Sequence, residues 1–95
     1  MSIKKQLIEY LKNNKEKFKQ KYQISELYLF GSVAKEKDTS KSDIDLIVKF
    51  NGKMNFTKLF GIKYELEDKF HKKVDLLELE AIKPELKKYI IMEKI

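Results

Sequence analysis

Asp43 and Asp45 lie one residue apart in the run Asp43-Ile44-Asp45-Leu46-Ile47-Val48-Lys49-Phe50, a segment that reads as a strand. Side chains two apart on a strand share a face, so both carboxylates point the same way, with Cα atoms about 6–7 Å apart. Ile44, Leu46 and Val48 take the other face and can pack on helices. Two carboxylates side by side repel each other and lose hydration when partly buried, so a cation must offset them. A divalent ion such as Mg²⁺ suits the pair, because it prefers one or two carboxylates completed by phosphate oxygens and water. Upstream, Gly31-Ser32 ends the apolar run Leu27-Tyr28-Leu29-Phe30 and leaves ten residues before Asp43. Its backbone N–H groups, exposed at a helix start, form an anion site of the kind that cradles phosphates. A third carboxylate, Asp75, sits early in the strand-like segment Lys73-Val74-Asp75-Leu76-Leu77.

These groups meet only if the strands run in particular directions. Ser32 ends one strand and Asp43 begins the next, so they share a sheet edge if those strands are antiparallel. The stretch around residues 55–70 has the length of a helical crossover, which makes the strands of Asp45 and Asp75 parallel and brings Asp75 to the same edge. Two metals about 4 Å apart could then clamp the attacking and leaving oxygens of an in-line displacement. Asp43 and Asp45 would bridge them, while Asp75 would bind the metal beside the nucleophile and favour its deprotonation. Gly31 would admit the triphosphate close to the backbone, and the Ser32 hydroxyl would hold a β- or γ-oxygen. Such a site transfers a nucleoside monophosphate and releases pyrophosphate.

The remaining elements follow from periodicity and caps. Ile3, Leu7, Leu11 and Phe18 mark a helix over residues 2–20, with Ile8 and Tyr10 beside the stripe. A helical turn is expected around Val33–Glu36, then a polar loop from Asp38 to Ser42. Asn51-Gly52 closes the Asp43–Phe50 strand, and Asn55 is the N-cap of a helix carrying Phe56, Leu59, Phe60, Leu66 and Phe70. Pro84 suits the first turn of a last helix with Leu86, Tyr89, Ile90 and Ile91 facing inward. The expected fold class is α/β (α+β): a small mixed sheet of three or four strands flanked by helices, in the order αβ(α)βαβα, as one domain over residues 1–95.

With 42% hydrophobic residues, the 95-residue chain can build one core, and its 38% charged residues coat the surface. It has no cysteine, so any metal is bound by oxygen, apart from the single His71, which reads as a solvated boundary residue. The basic residues are all lysine, compact charges that steer phosphate ligands, and the net charge of +6 fits nucleic acid, an acidic partner protein or solubility alone. No stretch approaches the roughly 20 apolar residues of a membrane helix, and no signal peptide is visible. A cytoplasmic protein that engages neither membrane nor nucleic acid directly is expected.

Leu-Tyr-Leu-Phe-Gly-Ser, the ten-residue gap, Asp-Ile-Asp-Leu and the later Lys-Val-Asp-Leu together resemble the DNA polymerase β-type nucleotidyltransferase superfamily, and within it the minimal nucleotidyltransferase (MNT) proteins. The resemblance implies the nucleotidyltransferase fold, Mg²⁺ at a two-metal site of Asp43, Asp45 and Asp75, and ATP held by Gly31 and Ser32. It also implies a role as the antitoxin of a toxin–antitoxin module, whose partner is a HEPN-type RNase toxin modified by AMP on tyrosine. Where the family usually has Arg-Ala-Arg-Gly after Gly-Ser, this chain has Val33-Ala34-Lys35-Glu36, so Lys35 takes the place of one Arg in gripping nucleotide. Two other functions fit the same residues: a non-catalytic antitoxin that inhibits by binding, and a small-molecule nucleotidyltransferase of the antibiotic-modifying kind.

Overall fold

The computed structural model describes residues 3–35, 43–90 and 92–95. The N-terminal helical region is two helices rather than one, α1 (Ile3–Asn13) and α2 (Lys15–Tyr22), broken at Asn14. The Asn14 side chain donates to the Tyr10 carbonyl at 2.8 Å, a bond that competes with a straight helix. The break lets two separate pairs, Leu7 with Leu11 and Phe18 with Tyr22, reach the core.

Strand β1 (Ile24–Phe30) runs straight into the single-turn helix α3 (Gly31–Ala34). Strand β2 (Ile44–Phe50), helix α4 (Phe56–Phe70) and strand β3 (Val74–Glu78) follow. Asn55 caps α4 as expected, its side chain accepting the Lys58 N–H at 3.2 Å. His71 ends that helix, exposed and left-handed at φ 54°, its N–H bonded to the Glu67 carbonyl at 2.8 Å. The expected polar loop from Asp38 to Ser42 lies outside the described residues, as do Glu36 and Ile91.

The sheet has four strands in the order β3-β2-β1-β4, where β4 is Met92–Lys94. β1 is antiparallel to both β2 and β4, and β2 is parallel to β3, so the sheet is mixed. Its helix-covered face carries Leu27, Leu29, Ile44, Leu46, Val48 and Val74, all buried. Glu65 of α4 accepts from Tyr22 at 2.8 Å and from Lys17 at 3.2 Å, tying α4 to α2.

The C-terminal region departs from the expected long helix. A 3-10 turn (Leu79–Ala81) and the one-turn helix α5 (Pro84–Lys87) precede β4, and Leu86 and Tyr89 are exposed rather than inward. Pro84 does open α5, but the chain then straightens to pair with β1. In α4, Phe56 and Phe60 also face solvent; Ile62 and Leu66 form its buried stripe. No helix among the described residues is long and apolar enough to cross a membrane.

Candidate active site

β1 delivers Gly31 to the sheet edge at which β2 and β3 begin. Phe30 is the antiparallel partner of Asp45, so the turn that follows lies beside that carboxylate. Gly31 has φ +76°, a conformation that L side chains rarely adopt. A Cβ placed there would overlap the Asp45 carboxylate, coming within 3.0 Å of its Cγ. Only glycine lets the backbone and the acid approach this closely.

Asp45 and Asp75 are register partners across the parallel β2–β3 pair, which puts their side chains on one face, opposite the helix-covered core. Directly opposed residues of neighbouring strands hold their Cβ atoms about 5 Å apart. Asp43 stands immediately before β2, two residues from Asp45, and is partly exposed. The Asp45 carboxyl is pushed above its ordinary range, first by burial, then by the negative charges of Asp75 and Asp43. The three acids therefore act on one another, and a cation among them would relieve the burden on Asp45.

Carboxylate oxygens are the donors that a hard divalent cation prefers. Among the described residues no three His, Cys, Asp or Glu side chains form a ready-made metal cage. Magnesium needs none, since one or two carboxylates with phosphate oxygens and water satisfy it.

The flanking residues divide into those facing the site and those holding it. Ser32 is partly exposed on the first turn of α3. Val33 is fully buried and packs into the core, so it serves as the anchor of α3. Lys35 caps that turn, its N–H bonded to the Gly31 carbonyl at 3.2 Å, and its side chain is exposed. With a single turn, α3 adds little dipole at its start.

Lys73 belongs with this group, although motif spacing did not single it out. Its Nζ lies 3.9 Å from Asp75 Oδ1, and its carbonyl accepts the Ile44 N–H at 2.9 Å, extending the β2–β3 ladder. The available signal was period two: Lys73 and Asp75 share a strand face.

The family model described as polymerase beta, nucleotidyltransferase matches residues 5–95. The chain belongs to this family. As a polymerase β-type nucleotidyltransferase it is an enzyme of group transfer. The nucleotidyltransferase is 40% identical over 81 residues to "Putative protein adenylyltransferase MJ0128" of Methanocaldococcus jannaschii, covering 84% of this chain and 83% of that one. It shares its fold with a structure described as a "putative minimal nucleotidyltransferase", with a TM-score of 0.72 at 24% identity, covering 100% of this chain and 95% of the other. The fold also matches a chain in the structure of a tri-AMPylated Shewanella oneidensis HEPN toxin in complex with MNT antitoxin. There the TM-score is 0.53 at 22% identity over 82% of this chain, which spans only 60% of the matched one.

Proposed function

We propose that this nucleotidyltransferase transfers AMP from ATP to a tyrosine hydroxyl of a HEPN-type toxin and thereby acts as its antitoxin. The observation that carries the reading is the meeting of Asp45 with its register partner Asp75, beside the Gly31–Ser32 turn. The protein adenylyltransferase name of the Methanocaldococcus relative and the AMPylated toxin complex of similar fold support the acceptor class.

In this reading Asp43, Asp45 and Asp75 would hold Mg²⁺, which would supply charge neutralisation at the triphosphate and at the acceptor oxygen. Gly31 admits the triphosphate to the backbone amides, Ser32 bonds a phosphate oxygen, and Lys35 offsets phosphate charge. Asp75 lies on the edge strand β3, and in this reading it is the acid beside the acceptor. A phenol with an ordinary pKa near 10 is a poor nucleophile at neutral pH, so the carboxylate's part is to favour loss of its proton. The oxygen then forms a bond to the α-phosphorus of ATP while the bond to pyrophosphate breaks.

The test is intact-mass spectrometry of the toxin after incubation with the nucleotidyltransferase, ATP and Mg²⁺. The expected result is a gain of one or more AMP masses together with loss of toxin RNase activity. One observation favours a second reading, an antitoxin that inhibits by binding alone: Val33 turns inward where the family offers an arginine. Tight complex formation and full inhibition with no mass gain would select that reading.

A further inference from the structure

The outer face of α4 carries a ridge that the core does not use. Phe56, Phe60 and Tyr64 recur every four residues and are 62%, 47% and 61% exposed. Their rings stack in sequence, each pair with centroids 6.3 Å apart and planes within 26° of parallel. Ile62 and Leu66 turn the opposite side of the same helix into the core. A continuous exposed aromatic row is rare on a surface with no partner, because it leaves apolar area in water.

The charges around the ridge identify the occupant. Exposed Lys53 lies beyond Phe56 at one end, and exposed Asp68 lies beyond Tyr64 at the other. Two copies of α4 laid antiparallel about a two-fold axis at Phe60 place each Phe56 on the other copy's Tyr64. The same operation brings each Lys53 toward the other copy's Asp68. A surface with opposite charges at its two ends is complementary to itself in this orientation, the requirement of an isologous interface. A uniformly acidic partner would instead meet a like charge at Asp68.

We infer that α4 is a homodimerisation surface, with Phe56, Phe60 and Tyr64 packing on the same residues of a second copy. At about 200 Å² per ring, the exposed aromatic area is on the order of 350 Å² per copy. With the flanking residues the interface reaches roughly 1,000 Å² in total, the low end for specific association. The +6 charge on each copy adds long-range repulsion that physiological salt screens. The dimer is therefore expected to be weak and reversible at about 0.15 M salt. The carboxylates of β2 and β3 lie on the sheet face away from the helices, so pairing through α4 leaves the nucleotide site open.

Sedimentation velocity over a concentration series tests this. The wild type should show a monomer–dimer equilibrium. Phe60→Glu should weaken it by about tenfold or more, as loss of a central aromatic does, and should leave the nucleotide-dependent melting shift unchanged. Lys53→Asp and Asp68→Lys should each weaken the dimer, and the double reversal should restore it, since each pair is again of opposite sign. A wild type that stays monomeric to about 1 mM overturns the inference and leaves the ridge to a different protein, as does a dimer that survives Phe60→Glu. Failure of the double reversal to restore association overturns the antiparallel register.

Discussion

Asp45 and Asp75 are register partners on the parallel strands β2 and β3, and the Gly31 turn closes against Asp45 from the other side. Like charges are thus kept adjacent by backbone hydrogen bonding, which they oppose. The fold supplies the energy, and a ligand that neutralises the pair returns part of it.

Metal and nucleotide should therefore depend on each other. ATP with Mg²⁺ should raise the melting temperature by more than the two separate shifts added together, because both bind only the native state and complete each other's coordination. Asp43→Asn with Asp45→Asn should abolish the synergy and raise the melting temperature of the free protein. Thermal melts with each ligand alone and with both decide it. Metal-dependent ATP binding that persists in the double variant would remove these residues from the ligand set.

The pH dependence has a defined sign. Asp45 is raised in the folded protein, so the native state binds its proton more tightly than the unfolded chain does. The stability this contributes is full below the ordinary carboxylate range and is lost as pH rises through the elevated pKa. Asp45→Asn, which carries no charge at any pH, should be more stable than wild type at pH 7, and the gap should close toward pH 3. Denaturant midpoints across that range measure it; a gap that widens on acidification contradicts the assignment.

Asp75→Asn should separate binding from transfer. It leaves Asp43 and Asp45 in place, so ATP and toxin should still bind, while transfer to the toxin hydroxyl falls by about 10²-fold or more. Single-turnover mass spectrometry gives the rate. A variant that transfers at the wild-type rate assigns Asp75 no part in activating the acceptor.

Gly31→Ala tests the turn. A left-handed conformation costs an L-residue about 1–2 kcal/mol, and the new methyl must also displace the Asp45 carboxylate. A melting temperature lower by about 5–15 °C is expected for a domain of this size, with loss of the nucleotide-dependent shift. If the shift survives intact, the close approach of Gly31 to Asp45 is unimportant for binding.

Much of this was readable locally. The Asn55 cap set the start of α4, and the Gly31-Ser32 turn after an apolar run marked the exit of β1, while Asp43, expected to open the next strand, stands just before β2. The errors share a cause, which is that periodicity shows a helix has an apolar face without saying whether that face is buried. Phe56 and Phe60 have helical spacing, as Ile62 and Leu66 do, yet only the second stripe meets the sheet. Leu86 and Tyr89 were assigned inward on the same basis and lie exposed, because the chain leaves α5 after one turn.

The sequence by itself determined the residue types of the site, their spacing along each strand, and the parallel crossover that a 15-residue helix permits between β2 and β3. These depend on covalent distance and on the 2.0 and 3.6 residue periods, which neighbours along the chain enforce. Tertiary structure alone decided that Asp45 opposes Asp75, that Val33 anchors α3, and that the short Met92–Lys94 segment becomes β4. Each is a contact between residues far apart in sequence or a choice of buried face. Their energies come from backbone pairing and burial across the fold, and no local pattern records them.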